Sequence, residues 1–234
     1  MSNGPFADAV KGAFNLCEDE GCPNHGTPHT CEVRVESETE FAQRVRRDAF
    51  ASATSILLNA AEPQGDPFAP LREGLQETPA RVAKAWEFWT SGYGKNAADI
   101  LKVFEDGATG YDEMVMVKDI PFYSKCEHHL ADIFGTATVA YIPCGKIVGL
   151  SKLSRLVDMH ARRLQVQERL TNDVAEDLFR HLGPLGVGVL VKARHMCMES
   201  RGLCQQGHFT VTSALRGVMK TQPEARAEFL RLAS

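Results

Sequence analysis

The 234-residue sequence has no apolar run that approaches the roughly 20 residues a membrane-spanning helix needs. Its first residues, MSNGPFADAVKGAFNL, lack the basic start and apolar stretch of a secretory signal, so we expect a cytoplasmic protein. It also lacks an excess of basic residues, with 26 Lys and Arg against 30 Asp and Glu. The net charge of −4 gives no general electrostatic affinity for nucleic acid or anionic membranes, so any anion site must be a local cluster of cations.

The cysteine count is odd: the seven are Cys17, Cys22, Cys31, Cys126, Cys144, Cys197 and Cys204. Without a secretory signal, this does not suggest a disulfide framework, and metal binding or catalysis is the better interpretation for some of them. CEDEGCPNHGTPHTC, residues 17–31, also contains His25 and His29. The segment is polar, rich in proline and glycine, and matches no zinc-finger spacing. We therefore expect a disordered tail, with a second metal site as the alternative.

Local patterns divide the chain into three parts. Residues 1–37 show little periodicity and predict a flexible N-terminal extension. Residues 38–112 predict a helical region, with one helix from Glu38 to Ala61 and a second in ETPARVAKAWEFW, ended by SGYG. In the second helix Thr78 suits the N-cap and Pro79 the first helical position. Residues 113–234 turn to the two-residue alternation of strands and predict a separate, strand-containing domain.

Strands and helices come in pairs after residue 112. Strands are predicted in EMVMVKDIPF, FGTATVAYIP and KIVGLS, with a hairpin turn at PCGK. A helix capped by Ser151 and a second helix ended by Gly183 follow. The second helix has apolar residues at four-residue steps, which predicts one buried face: Val166, Leu170, Val174 and Leu178. The strands GVGVLVKARHMCM and HFTVTSAL and a last helix in PEARAEFLRL complete the chain. This order favours an antiparallel α+β fold over a doubly wound sheet.

YSKCEHHLAD, residues 123–132, places four residues that can bind metal or transfer protons side by side. Cys126 and His129 are three apart after a strand, so a turn could bring both to one ion. Zinc prefers thiolate and imidazole ligands, and a catalytic site keeps one position for water. RHMCMESRG supplies Cys197, and on a strand His195 would enter the same cavity because alternate residues share a face. The alternative is a small buried cysteine and a solvent-exposed histidine pair.

Charged residues also gather near the starts of the two middle helices. GLSKLSR puts Lys152 and Arg155 in a first helical turn, where backbone N–H groups favour anions. QVQERL puts Gln167 beside Glu168, and a carboxylate can accept two hydrogen bonds from the N1–H and 2-amino group of guanine. The alternative is that these are solvated charges at helix ends.

Four motifs, CEHH, GLSKLSRLVD, RRLQVQERLT and HMCMESRG, resemble the GTP cyclohydrolase I family. ETPARVAKAW is similar to the family's N-terminal helix, and TVTS followed by EARAEFLRL is similar to its end, so the resemblance covers about residues 40–232. It implies a tunnelling-fold (T-fold) α+β subunit and a homodecamer of two pentamers with active sites at subunit interfaces. The implied reaction converts GTP and water to formate and 7,8-dihydroneopterin triphosphate. Folate, tetrahydrobiopterin and deazaguanine nucleosides stay open as later products.

The resemblance also implies roles for single residues. One zinc ion per subunit would be held by Cys126, His129 and Cys197. Proton transfer would fall to His128 and His195, with Ser151 near the ribose. Guanine would be held by Glu168 and Gln167. The triphosphate would contact Lys152, Arg155 and Arg201. Arg81 and Lys84 would also contact it, from a neighbouring subunit. The alternative for these last two is that they are solvated charges on a helix.

The implied chemistry agrees with the residue types. C8 of guanine is a poor electrophile until N7 is protonated, which a histidine near its ordinary pKa can do. Zinc lowers the pKa of a bound water to about 7. The sequence departs from the family pattern at LADIFG and at His208, where a small hydroxyl residue is common, and Cys204 is expected to be an inert loop thiol. The competing class is a T-fold module that binds zinc and a purine without turnover, which the presence of both histidines argues against.

Overall fold

A computed structural model describes the chain over residues 37–62, 66, 68–105, 107 and 110–234. The chain separates into two compact units, Met1–Arg46 and Arg47–Ser234. Of the predicted extension only Ser37 is described. The five residues of the alternative second metal site lie outside the described residues: Cys17, Cys22, His25, His29 and Cys31.

The described residues form helices and strands in mixed order, as an α+β fold requires. The α-helices are α1 Glu38–Ala61, α2 Thr78–Trp89, α3 Ala97–Ile100, α4 Leu150–Ala161, α5 Gln167–Leu182, α6 Met196–Glu199, α7 Val218–Thr221 and α8 Pro223–Ala233. The strands are β1 Val103–Phe104, β2 Val115–Cys126, β3 Asp132–Ile142, β4 Ile147–Val148, β5 Leu164–Gln165, β6 Gly186–His195 and β7 Thr210–Gly217.

Helix α1 has the predicted bounds and begins at a capping box. The Ser37 hydroxyl accepts a hydrogen bond from the Glu40 N–H at 3.2 Å, and the Ser37 N–H donates to the Glu40 carboxylate at 2.9 Å. These reciprocal bonds satisfy donors that a first helical turn leaves unpaired.

Two predicted caps are wrong. The N-cap of α2 is Glu77, so Thr78 is already helical, although Pro79 still lies in the first turn. The N-cap of α4 is Gly149, and Ser151 lies inside that helix with an exposed side chain. In both helices the N-cap lies one or two residues before the hydroxyl residue. No side chain forms a capping hydrogen bond at either N-terminus.

Five strands form one sheet in the order β5-β2-β3-β6-β7. All neighbours are antiparallel except β5, which runs parallel to β2. The antiparallel prediction is therefore confirmed for the long strands. Strands β1 and β4 pair separately as a two-stranded sheet. PCGK therefore joins strands of different sheets, and the predicted hairpin there is wrong.

Helices α4 and α5 pack on the sheet, α4 against β2 and α5 against β6 and β7. The predicted four-residue spacing in α5 is confirmed for Leu170, Val174 and Leu178, which are all buried. Val166 is the half-buried N-cap residue before the helix. Gly183 ends the helix in the left-handed conformation, with φ of 65°. The inward-facing residues of the strands complete this core.

The last two helices contribute to a second core cluster, in which Ala140 of β3, Leu215 of β7, Met219 and Phe229 are buried together. Ala140 neighbours Val139, which belongs to the first core, so the two clusters lie on opposite faces of the sheet. Gly188 permits this packing, because a Cβ there would come within 2.8 Å of the Phe229 ring. Among the described helices, none is long and apolar enough to cross a membrane.

Candidate metal centre and active site

Cys126, His129 and Cys197 come together at one end of the sheet. Their ligand atoms all lie within 4.8 Å of one another, and Cys126 Sγ is 3.8 Å from His129 Nδ1. Sulfur and nitrogen ligands of a tetrahedral zinc ion are about 3.5–3.8 Å apart, given metal–ligand bonds of about 2.0–2.3 Å. The three side chains therefore fit a metal ion, with one position left for another ligand.

The turn that carries His129 is closed by backbone hydrogen bonds. The Cys126 N–H donates to the Ala131 carbonyl and the Leu130 N–H donates to the Cys126 carbonyl, both at 2.8 Å. Glu127 in this turn accepts two hydrogen bonds from Arg169, at 2.6 and 3.1 Å. Its N–H donates to the Gln165 carbonyl at 3.1 Å. The turn is thus joined to β5 and α5.

Cys197 lies on a helical turn rather than on a strand, which corrects the prediction. Strand β6 ends at His195, and α6 follows at once. The Arg194 guanidinium binds the buried Glu199 carboxylate at two points, which joins the two ends of this turn. Burial raises the pKa of the Cys197 thiol, and the adjacent Cys126 thiol adds to the rise. A bound cation would supply the charge that favours the thiolate.

His195 is held by Gln167, the first residue of α5. The distance between His195 Nε2 and Gln167 Oε1 is 2.7 Å. Burial lowers the pKa of His195, the charge of Glu168 raises it, and the charge of His208 lowers it. His195, Glu168 and His208 therefore lie within electrostatic reach of one another. Sequence reasoning left His208 without a role, and its departure from the family pattern was the only signal.

His128 projects from the same turn as His129. Its side chain is 64% exposed, and its Nε2 lies 3.6 Å from Glu127 Oε1. The two imidazole rings are edge-on, with centroids 6.2 Å apart. The turn therefore presents a solvent-accessible imidazole directly beside a metal-ligand candidate.

A cavity of about 410 Å³ lies beside α5 and β7. Glu168 lines it, together with hydroxyl and amide side chains and three cations: Arg216, Lys220 and Arg226. The Arg216 guanidinium is already bound to Glu176 at 3.0 Å. An exposed carboxylate at the rim of a polar cavity suits recognition of an N–H-bearing ring.

The predicted triphosphate contacts are distributed over several elements. Lys152 and Arg155 lie on α4 with Ser151, and Arg201 follows α6, where its charge opposes the rise in the Cys197 pKa. Arg81 and Lys84 are exposed on α2, and Arg81 forms an ion pair with Glu77. Only Arg201 is placed beside the metal-ligand group by a described interaction, and the roles of the others stay predictions.

A mainly antiparallel sheet backed by paired helices, with a candidate Cys/His/Cys metal group and two further histidines at one end, is the arrangement of a T-fold enzyme. The family model for GTP cyclohydrolase I matches residues 57–234. The chain belongs to the GTP cyclohydrolase I family.

Curated relatives agree with this assignment. The chain is 63% identical over 162 residues to GTP cyclohydrolase 1 of Janthinobacterium sp. (strain Marseille), covering 69% of this chain and 82% of the relative. It is 59% identical over 164 residues to GTP cyclohydrolase 1 of Nitrosospira multiformis, covering 70% and 86%. A Synechococcus relative of the same name is 44% identical over 215 residues, covering 86% and 93%.

Proposed function

We propose that the chain converts GTP and water to formate and 7,8-dihydroneopterin triphosphate, the first step of pterin and folate-type biosynthesis. The observation that carries this proposal is the convergence of Cys126, His129 and Cys197, with ligand atoms within 4.8 Å, in a chain of this family. Beside them lie the proton-transfer candidates His128 and His195. A module that only bound a purine would not need these histidines.

Zinc is the metal that the donor set favours. Two thiolates and one imidazole are soft and borderline ligands, which suit zinc better than magnesium or calcium. Cys126, His129 and Cys197 would hold the ion and leave one position for water. When bound, zinc supplies a Lewis acid that makes water a nucleophile near neutral pH.

The protein's own residues would bind and orient the base. Glu168, exposed beside the cavity, would accept hydrogen bonds from the guanine N1–H and 2-amino group, a donor pair that adenine lacks. N7 must gain a proton before water adds at C8, and His128 or His195 would supply it. Because burial lowers the pKa of His195, this residue is suited to accept a proton at neutral pH.

The later steps need repeated proton transfers at the same place. Water addition at C8 and cleavage of the C8–N9 bond give a formamide, and a second water releases formate. The ribose then rearranges in an Amadori-type step and closes on the freed amine with loss of one water. His128, His195 and Ser151 would move protons between the ring nitrogens and the ribose hydroxyls.

The remaining contacts belong to the triphosphate and the assembly. Lys152, Arg155 and Arg201 would neutralise phosphate oxygens. Arg81 and Lys84 would reach the site of a neighbouring subunit in a homodecamer. The domain division that we propose is residues 1–37 as an extension, 38–112 as a helical region and 113–234 as the T-fold catalytic domain.

The test is product identification on protein whose zinc content is measured on the same sample. We expect zinc near one per chain, formate release, and a pterin that becomes fluorescent after oxidation. Mass spectrometry separates this outcome from an enzyme that stops at the ring-opened formamide, which is heavier than GTP by one water. Zinc-loaded protein that yields neither formate nor pterin would overturn the proposal.

A further inference from the structure

The side chain of Gln167 is buried where α5 begins, with the residue 2% exposed. Its Nε2 donates hydrogen bonds to the carbonyl oxygens of Val191 on β6, at 3.1 Å, and Thr210 on β7, at 3.0 Å. It also donates to Thr212 Oγ1 at 3.1 Å. The carboxamide therefore links α5 to two strands, and both of its N–H groups are engaged.

The two backbone carbonyls determine which way the carboxamide faces. A carbonyl oxygen accepts hydrogen bonds and cannot donate one. Rotating the amide by half a turn would bring Gln167 Oε1 against these two carbonyl oxygens and remove the donor that each of them has. Burial makes such unpaired groups costly. The Nε2 atom must therefore face Val191 and Thr210, and Oε1 must face His195.

The neighbouring hydroxyls agree with this orientation. Thr171 Oγ1 donates its proton to the backbone carbonyl oxygen of Gln167 at 2.7 Å. At the 2.6 Å contact between Thr171 Oγ1 and Thr212 Oγ1, Thr212 must then be the donor. The Thr212 oxygen is left as an acceptor for the Gln167 amide. The hydroxyl protons are therefore consistent with the Gln167 amide nitrogen as the donor.

The orientation of the Gln167 amide also determines which nitrogen of His195 carries a proton. Gln167 Oε1 can only accept, and it lies 2.7 Å from His195 Nε2. The proton between them must therefore belong to His195 Nε2. A neutral imidazole carries one N–H, so Nδ1 is then its unprotonated nitrogen.

We propose that Gln167 is a positioning residue that keeps His195 in the Nε2–H tautomer, so that His195 exchanges protons with the substrate through Nδ1. This inference deepens the proposed function and rests on it, because His195 transfers protons only if the reaction takes place. It also gives the Gln167 side chain a role other than the predicted guanine contact, since its amide has no free donor to offer a base.

The test is nitrogen NMR of zinc-loaded protein with labelled histidines, in which the His195 signals are assigned from their loss in His195→Gln. We expect one pyrrole-like nitrogen at Nε2 and one pyridine-like nitrogen at Nδ1. A wild-type spectrum with the proton on Nδ1 would overturn the inference. This measurement does not depend on turnover. Failure to release formate therefore counts against the proposed function alone.

Kinetics of Gln167→Met separate positioning from base recognition. Methionine has a similar length but neither donates nor accepts as an amide does, so we expect kcat to fall on the order of tenfold or more. KM for GTP should stay within about twofold, and the His195 nitrogen signals should move toward the average of exchanging tautomers. A rise in KM with unchanged kcat and unchanged nitrogen signals would contradict positioning. The matched control is Thr212→Val, which removes one acceptor but leaves both carbonyls, and should keep the tautomer.

Discussion

Arg169 on α5 forms two hydrogen bonds with Glu127 in the CEHH turn, with its two terminal nitrogens 2.6 and 3.1 Å from the carboxylate oxygens. The contact joins the turn that carries His129 to the helix that carries Glu168. Arg194 and Glu199 form a similar two-point contact around Cys197. Each of the two turns that carry the proposed metal ligands is therefore braced by one arginine–glutamate pair.

The first prediction follows from this bracing. Arg169→Gln frees the CEHH turn, so His129 is held less firmly, and zinc affinity should fall about 10-fold or more, as for other residues that orient metal ligands. Competition with a chromophoric chelator measures the affinity. Arg180→Gln is the matched control, because Arg180 also pairs with a glutamate on α5, Glu176 at 3.6 Å. Equal zinc affinity in wild type and Arg169→Gln would argue against bracing.

Removing a metal ligand should have a larger effect. Cys197→Ala takes away one of three ligands, and two ligands do not hold zinc through purification. We expect metal analysis to find little zinc in this variant. Cys144→Ala, which removes an exposed thiol, should keep the wild-type zinc content. Full occupancy in Cys197→Ala would refute the ligand assignment.

The histidines that do not bind metal should separate chemistry from zinc retention. His128→Ala and His195→Ala should keep zinc and lower formate release by about 10²–10⁴-fold, the usual contribution of general acid–base catalysis. His181→Ala, a change in the last turn of α5, serves as control and should behave as wild type. Unchanged turnover in both test variants would remove the proposed roles.

A pH prediction concerns His160, which is buried. Its Nε2 lies 2.9 Å from Asp177 Oδ2. Burial lowers the pKa of His160 and the Arg163 charge lowers it further, while Asp177 and Asp173 oppose this. As the pH falls, His160 therefore takes up a proton near pH 6.5 in the unfolded chain and only at a lower pH in the folded protein. The resulting stability is fully present above this pH and is lost as the pH falls through the lowered folded value, by at most about 1.4 kcal/mol per pH unit.

Between pH 7.5 and 5.5, the free energy of unfolding should fall less in His160→Asn than in wild type. The difference in slope should correspond to the uptake of at most about one proton on unfolding. Denaturant unfolding of metal-free protein measures this difference and avoids the titration of zinc-bound histidine. Parallel curves for the two proteins would show that His160 does not contribute.

Sequence patterns predicted the elements whose signals are local. Helix α1, the apolar stripe of α5 and the left-handed Gly183 depend on residues close together in the chain. The grouping of Cys126, His129 and Cys197 followed from ligand chemistry. The missed features depend on tertiary pairing. The PCGK turn differs because β4 pairs with β1, a two-residue strand that carries no periodicity of its own.

The same limit applies inside the site. The environment of Gln167 depends on which carbonyls of β6 and β7 end beside α5, and only the register of those strands determines this. Cys197 was placed on a strand because HMCM continues the apolar pattern of β6. The Arg194–Glu199 pair, which brackets the helical turn, is a contact that periodicity does not reveal.

The strand register has a consequence for how the protein reaches its active form. Ser124 on β2 lies opposite Ile133 on β3, and Ile133 lies opposite His195 on β6, so correct pairing across three strands brings Cys126 and Cys197 together. A slip of one residue would turn every side chain of the slipped strand to the other face of the sheet. Chains that pair wrongly would then lack the ligand group. Correct strand register is therefore a condition for forming the Cys126, His129 and Cys197 group.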